Sequence, residues 1–151
     1  MSDIKDMVSG RVRGEHYLLD THVWIWFMEG KEELEGNLLI YELESAAEES
    51  RLSVVSISMW EIAMLESKGR IGFRIPCLQW IREALKIPGL SIVPLSAEIA
   101  ADSAGLPGEF HGDPADRLIV AGTRSIGGTL VTRDRVILEY AEQGHLRAAA
   151  I

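Results

Sequence analysis

Disulfide chemistry and membrane-spanning segments are both missing from this sequence. Its single cysteine is Cys77, so no internal disulfide can form, and such sparing use of cysteine is typical of a reducing compartment. No apolar run approaches the roughly 18 residues that a membrane-spanning helix needs. The first residues, MSDIKDMVSGRVRG, are polar and of mixed charge, unlike a secretory signal peptide. We therefore expect a cytoplasmic protein with no membrane contact.

Basic residues are also scarce. Fifteen Lys and Arg stand against 23 Asp and Glu, a net charge of -8, which is the wrong sign for a surface that binds a polyanion. The imbalance is local, because residues 29–49 carry a net charge of −7 and the rest of the chain only −1. A solvated acidic helix face explains that stretch. Nucleic acid therefore stays open as a partner for the remaining surface.

Short apolar runs alternate with helical patterns along the chain. Strands are predicted at residues 16–20, 52–55, 91–94, 129–131 and 146–151, the last at a sheet edge. Helices are predicted at residues 21–28, 38–49, 56–68, 76–85, 96–104, 113–125 and 135–143, with connections at 29–36 and 105–112. This alternation favours an α/β sandwich with a mostly parallel central sheet. We expect one domain at residues 16–151 after an N-terminal extension at residues 1–15.

Four acidic residues lie at strand ends or inside hydrophobic helical segments. They are Asp20 in LLDTHVW, Glu61 in SISMWEIAML, Asp116 in HGDPADRLIVAG and Asp134 in TLVTRDRVI. A buried carboxylate needs a compensating charge. Ligands of parallel α/β sheets bind beyond the carboxyl ends of the strands, where this order of elements brings all four acids together. A divalent cation held by carboxylate oxygens accounts for the whole set.

Each acid also has a structural explanation that the sequence leaves open. Asp20 and Asp134 stand where helix-capping aspartates are found. Asp116 suits the first turn of a helix because a carboxylate there complements the helix dipole. The helix around Glu61 is apolar nearly all round and is expected to be buried on most sides, so Glu61 is a candidate for an ion pair with Lys68.

Three neighbours of these acids are candidates for an assisting role. Asp113 caps the helix that Pro114 begins, a sufficient explanation in itself. Arg117 is placed to fix a carboxylate, to meet a phosphate or to form a structural ion pair. Thr132, two residues before Asp134, is a candidate hydroxyl to support the site or to bind water.

The same acids are compatible with two other functions, a phosphotransferase and a binding module. A phosphotransferase would use Asp20 as nucleophile, but that chemistry usually needs a second acid two residues later, where His22 stands, and a late lysine, whereas none follows Lys86. A binding module for RNA or protein would use the same acids only as caps.

The segments LLDTHVWIW, SISMWEIAMLESKGRI, HGDPADRLIVAG and TLVTRDRVI, in this order, resemble PIN-domain ribonucleases and specifically the VapC-type toxins of toxin–antitoxin pairs. The resemblance implies a three-layer α/β/α fold, Mg²⁺- or Mn²⁺-dependent cleavage of RNA, a homodimer and a cognate antitoxin. It makes transfer RNA or ribosomal RNA the expected substrate. Carried over by position, the acidic catalytic and metal-binding residues are Asp20, Glu61, Asp116 and Asp134, with Asp113 in an assisting position.

Basic residues near these acids are candidates for phosphate contacts. They are Lys68 and Arg70, which follow the Glu61 helix, and Arg133, beside Asp134. Ordinary solvated surface explains each of them equally well. The four tryptophans are assigned to the core or to a dimer interface in preference to base stacking.

Overall fold

The computed structural model describes residues 14–151. The strands are β1 (Tyr17–Leu19), β2 (Leu52–Val55), β3 (Leu90–Val93), β4 (Thr129–Thr132) and β5 (Arg147–Ala150). The helices are α1 (Thr21–Glu29), α2 (Leu39–Glu48), α3 (Ile57–Ser67), α4 (Cys77–Ala84), α5 (Ala97–Ala104), α6 (Pro114–Ser125) and α7 (Arg135–Glu142). Residues 1–13 of the predicted N-terminal extension lie outside this description. Within it, no helix combines the length and the apolar character needed to cross a membrane.

The five strands form one sheet in the order β3-β2-β1-β4-β5. All four strand pairs are parallel, so the prediction of a mostly parallel sheet holds for every pair in the described part of the chain. β5, which was predicted as an edge strand, lies at one edge of this sheet. β1 lies at the centre, with Leu18 opposite Ser53 of β2 and Leu130 of β4. Consequently the carboxyl ends of β1, β2 and β4 meet at one edge.

Helices cover both faces of the sheet, which gives the predicted three-layer α/β/α arrangement. Alternate residues of a strand point to opposite faces. Leu19 and Val131 accordingly join the core that contains Trp24 and Trp80, beneath α1 to α4. The second core lies beneath α5, α6 and α7 and includes Leu18. Both faces of the central strand are therefore buried, as a parallel sheet requires.

A glycine sets how closely α6 approaches the sheet. Gly122 lies in the buried face of α6, opposite Val55 of β2. A Cβ atom added to Gly122 would come within 2.8 Å of Val55 Cγ2, which is too close for two carbon atoms. The absence of a side chain at this position therefore allows α6, with its acidic first turn, to pack directly on β2.

Several local predictions need correction. The connection after α1 contains a 3-10 turn at Glu32–Leu34 that buries Leu34 in the first core. β3 ends before Pro94, which lacks the N–H group that a continuing strand would supply. Ser56 occupies the N-cap position of α3 but makes no side-chain capping bond. Trp60 and Ala63 are exposed, so α3 is not buried on most sides as predicted.

Candidate active site

The sequence-predicted acids gather at the carboxyl edge of the sheet. Asp20 directly follows β1, and Asp134 follows β4 after a single intervening residue. Glu61 lies on α3, which begins one residue after β2 ends, and Asp116 lies in the first turn of α6. The topology therefore supplies one acid from each of four segments that are far apart in sequence.

The helix-capping interpretation is also correct, and it does not exclude a site. Asp20 Oδ1 accepts a hydrogen bond from the Thr21 backbone N–H at 2.9 Å. Asp134 Oδ1 accepts one from the Val136 N–H at 2.8 Å, and Asp113 Oδ1 accepts one from the Asp116 N–H at 2.9 Å. Within residues 14–151, the Oδ2 atoms of Asp113 and Asp134 accept no hydrogen bond. Capping therefore fixes these carboxylates in position and still leaves oxygen atoms for a ligand.

The tightest group of acids is Glu61, Asp113 and Asp116. One carboxylate oxygen from each lies within 4.8 Å of the other two. Asp113, which was predicted to have an assisting position, completes this triad in the described residues. The charges of Asp20 and Asp134 also act on Asp116, so both lie near the triad, and their role as metal ligands stays a prediction. Oxygen donors at this spacing suit a hard divalent cation such as Mg²⁺.

The acids perturb one another's ionisation. Burial raises the pKa of Asp116 to about 7, and the charges of Asp113, Asp20, Asp134 and Glu61 all act in the same direction. Burial also raises the pKa of Glu61, with further contributions from Asp20 and Asp113. A bound cation would favour the ionised form of these carboxyl groups and so lower their raised pKa values.

Both carboxylate oxygens of Asp20 accept a hydrogen bond. Burial raises its pKa, although the hydrogen bonds from Thr132 and Thr21 act to lower it. Thr132 Oγ1 donates to Asp20 Oδ2 at 2.6 Å and accepts from the Asp134 backbone N–H at 3.0 Å. Thr132 thus links the two strand-end acids, which places it in the supporting position predicted from the sequence.

Two further hydroxyls support Glu61, and the sequence analysis missed both. The Thr21 hydroxyl donates to Glu61 Oε1, and its oxygen lies 2.9 Å from the Ser58 hydroxyl oxygen. Thr21 and Ser58 are buried. Their sequence signal is weak, since both stand in first helical turns where hydroxyl residues are common. The Thr21 hydroxyl thereby connects the Glu61 carboxylate to the start of α1, next to Asp20.

We expect Thr132→Val to weaken cation binding about 10-fold, because residues that orient metal ligands typically contribute that much or more. The same change leaves Asp20 Oδ2 without its hydrogen-bond donor and should reduce the free energy of unfolding by about 1–2 kcal/mol. Isothermal titration calorimetry with Mn²⁺ and urea denaturation measure the two effects. Thr123→Val is a matched control, because the buried Thr123 hydroxyl donates to the Ile119 carbonyl at 2.9 Å within α6. Equal cation affinity in both variants would contradict this role of Thr132.

Two arginines that sequence analysis placed near the chemistry are used elsewhere. Arg117 donates to the carbonyl oxygens of Ser103 and Phe110, both at 2.8 Å, and so ties the loop before α6 to α5. Arg133 donates to the Ile151 and Glu33 carbonyl oxygens at 2.8 Å and lies over the Trp26 ring. These contacts give both arginines a structural role, while the assisting role of Arg117 and the RNA contact of Arg133 stay predictions. Only the folded chain brings these carbonyl groups within reach.

Lys68 and Arg70 keep the position that was predicted for them. Both are exposed, and both line a cavity that Glu61 and Asp113 also border. Neither forms an ion pair within residues 14–151, so the alternative of a Glu61–Lys68 salt bridge is not found there. They remain candidates for phosphate contacts next to the acids.

Comparison with known proteins gives consistent matches. Residues 17–143 match the PIN domain family. The chain is 37% identical over 118 residues to ribonuclease VapC22 of Mycobacterium tuberculosis, which covers 78% of this chain and 86% of that protein.

Solved structures share the fold at lower identity. VapBC2 from Rickettsia felis, crystallised with a DNA fragment from its promoter, aligns with a TM-score of 0.64 at 18% identity, over 89% of this chain and 97% of that one. DNA-bound VapBC from Salmonella typhimurium aligns with a TM-score of 0.62 at 19% identity, over 90% and 98%. The family match across most of the domain and the relative at 37% identity show that this chain belongs to the PIN-domain family, in its VapC group.

Proposed function

We propose that the protein is an endoribonuclease that depends on Mg²⁺ or Mn²⁺ and acts as the toxin of a toxin–antitoxin pair. The observation that carries the proposal is the acidic edge of the sheet, where burial and mutual repulsion raise the pKa of Asp116 to about 7. A ribonuclease that is 37% identical to this chain supports the choice of RNA. Transfer RNA or ribosomal RNA is the substrate that we propose.

In the proposed reaction, the acids bind the cation and orient the attacking water. Glu61, Asp113 and Asp116 would hold the cation, with Asp20 and Asp134 adjoining. When bound, the cation would stabilise charge on the attacked phosphate and acidify water. Glu61 or Asp134 orients the attacking water and accepts its proton. Attack in line with the departing 3′ oxygen leaves a 5′-phosphate and a 3′-hydroxyl.

Two rival functions have less support. A phosphotransferase that uses Asp20 as nucleophile usually needs a second acid two residues later, where His22 stands, and a late lysine, whereas none follows Lys86. A binding module would explain the capping bonds of Asp20, Asp113 and Asp134. It would not explain why acids with unfavourable ionisation are gathered at one edge.

Partner proteins follow from the same proposal. The neighbours from Rickettsia felis and Salmonella typhimurium are VapBC complexes bound to DNA. We propose that this chain likewise pairs with a cognate antitoxin that blocks the acidic edge, and that it forms a homodimer.

The deciding experiment is cleavage of total cellular RNA by the purified, partner-free protein. We expect cuts with Mg²⁺ or Mn²⁺ and none with EDTA, because the acids need the cation in order to be ionised together. Ligation-based mapping should find 5′-phosphate and 3′-hydroxyl ends. Cleavage that persists in EDTA, or ends that carry a 2′,3′-cyclic phosphate, would contradict the mechanism. RNA binding without any cleavage would favour the binding module.

A further inference from the structure

An exposed tryptophan stands next to the acidic site. Trp60 immediately precedes Glu61 on α3, and 53% of its surface is exposed. Sequence analysis assigned it to the core or to a dimer interface, yet Trp24 and Trp80 are the tryptophans that occupy the core. An indole ring offers a large apolar face at little cost in side-chain entropy, so its exposure beside catalytic acids needs an explanation.

Trp60 borders a cavity of about 210 Å³ that opens onto the site. Met64 and Leu65, one helical turn further along α3, form its apolar wall. Glu61 and Asp113 belong both to this cavity and to the acidic triad. A molecule bound in the cavity would therefore touch the same carboxylates that hold the cation. The volume is below the range of drug-sized sites and fits a single small ring system.

The far side of the cavity is basic. Lys68 is the C-cap residue that follows α3, seven residues after Glu61 and so roughly 10 Å along the helix axis. Arg70 lies two residues further on, beyond the helix, and both side chains line the cavity. These two cations balance the charges of Glu61 and Asp113 in the lining of the cavity and offer contacts for a phosphate. The cavity thus combines acids, apolar surface and cations, with the two cations just beyond the end of α3.

We propose that this cavity binds the base of the nucleotide next to the scissile phosphate, stacked on Trp60, while Lys68 and Arg70 contact the adjoining phosphate. The inference rests on the proposed ribonuclease function. A base stacks its flat face on an aromatic ring, while the phosphate of the same nucleotide stays in water. The chain offers these contacts in order, with Trp60 on α3 and with Lys68 and Arg70 just beyond its end. A base within a duplex is already stacked on both sides, so the substrate must be unpaired at this position.

The first test compares Trp60→Leu with Trp60→Phe. Leucine keeps apolar bulk and loses the aromatic face, whereas phenylalanine keeps a stacking surface. We expect Trp60→Leu to raise KM for a mapped RNA substrate about 10-fold or more, with kcat changed much less, because base stacking contributes affinity. Trp60→Phe should retain most of the affinity. Tyr41→Leu is the matched control, since Tyr41 is 68% exposed on α2, which adds no residue to the cavity.

A second test removes the base instead of the ring. Substrates with an abasic nucleotide on either side of the mapped cleavage site should lose affinity for the wild-type protein on one side only. Trp60→Leu should no longer discriminate the abasic substrate from the intact one. Equal losses in wild type and Trp60→Leu would overturn the stacking contact.

Controls separate this inference from the proposed function. Fluorescence quenching by a short single-stranded RNA, compared between wild type and Trp60→Phe, reports stacking without any cleavage. Quenching without cleavage would support the base site and contradict the nuclease. Cleavage that is unchanged by Trp60→Leu would support the nuclease and contradict the base site. If light scattering shows that Trp60→Leu only dissociates a dimer and leaves RNA affinity per site unchanged, Trp60 belongs to an interface between copies and the proposal fails.

Discussion

Asp116→Asn should reduce RNA cleavage by about 100- to 1000-fold, the range seen when a group that stabilises transition-state charge is removed. Asp116 lies in the triad with Glu61 and Asp113, so the substitution removes a cation ligand and leaves the helix cap in place. The metal-free protein should become more stable at the same time. Its free energy of unfolding should rise by about 1–2 kcal/mol at pH 8, once solvent screening of a partly exposed carboxyl is allowed for.

A substitution that lowers the cleavage rate but raises the free energy of unfolding identifies an acid that serves function at the expense of stability. Replacing an acid that serves the fold would lower the free energy of unfolding. Initial rates on a mapped RNA substrate and urea denaturation in EDTA measure the two quantities. Glu139→Gln, an exposed acid on α7, should leave both unchanged. An Asp116→Asn protein that is less stable than wild type without metal would show that Asp116 serves the fold, and one that cleaves normally would remove it from the site.

Divalent cations should stabilise the protein more at pH 8 than at pH 5. Burial and neighbouring acids raise the pKa of Asp116 from 3.8 to about 7. Between those values the folded state binds more protons than the unfolded state, so the stability of the metal-free protein falls as pH rises through this window and levels off above it. At a cation concentration 100 times the Kd, the gain is about 2.7 kcal/mol. That corresponds to a rise in Tm of roughly 5–10 °C.

The ionisation of His16 also changes the stability of the protein with pH, so this experiment needs a control for it. Burial, and then the charge of Arg51, lower the pKa of His16 from 6.5, so its contribution to stability is lost as pH falls and opposes that of Asp116. The difference between wild type and Asp116→Asn cancels the contribution of His16. Melting curves at pH 5 and pH 8, with Mn²⁺ or with EDTA, should show a smaller pH dependence of the cation effect in the variant. A cation effect in wild type that is equal at both pH values would contradict the coupling.

Features encoded by neighbouring residues could be predicted from the sequence. The run LSVV became β2 with the predicted bounds, because a continuous apolar segment between polar residues fits a strand buried on both faces. Asp113 before Pro114 fixed the start of α6, since capping depends on bonds within one helical turn. The same local logic placed Asp20 and Asp134 at strand ends, where the chain direction of a parallel sheet brings them together.

Features that depend on contacts between distant segments could not be predicted. Arg117 is adjacent to Asp116 in sequence, but its guanidinium binds carbonyl oxygens that only the packing of α5 against α6 brings near. The burial of α3 was overestimated from its composition, because hydrophobicity does not tell which face finds a neighbour. Trp60 is accordingly exposed and does not join the core, whereas the dimer interface, the other environment predicted for it, stays a prediction. Asp113 had a sufficient local role, and only the structure shows its oxygen beside that of Glu61.

The central position of β1 has a consequence for when the protein can act. Asp20 and Thr132 form one hydrogen bond across 112 positions of the chain, and β4 holds β1 on the side that carries Asp134. Contacts of such long sequence separation form late, because the intervening chain must be ordered first. A nascent polypeptide that has not yet exposed β4 to the solvent holds three of the four predicted acids and lacks the Thr132 hydrogen bond to Asp20. Synthesis of nearly the whole domain must therefore precede the first cut, which gives the cell an interval in which the growing chain is harmless.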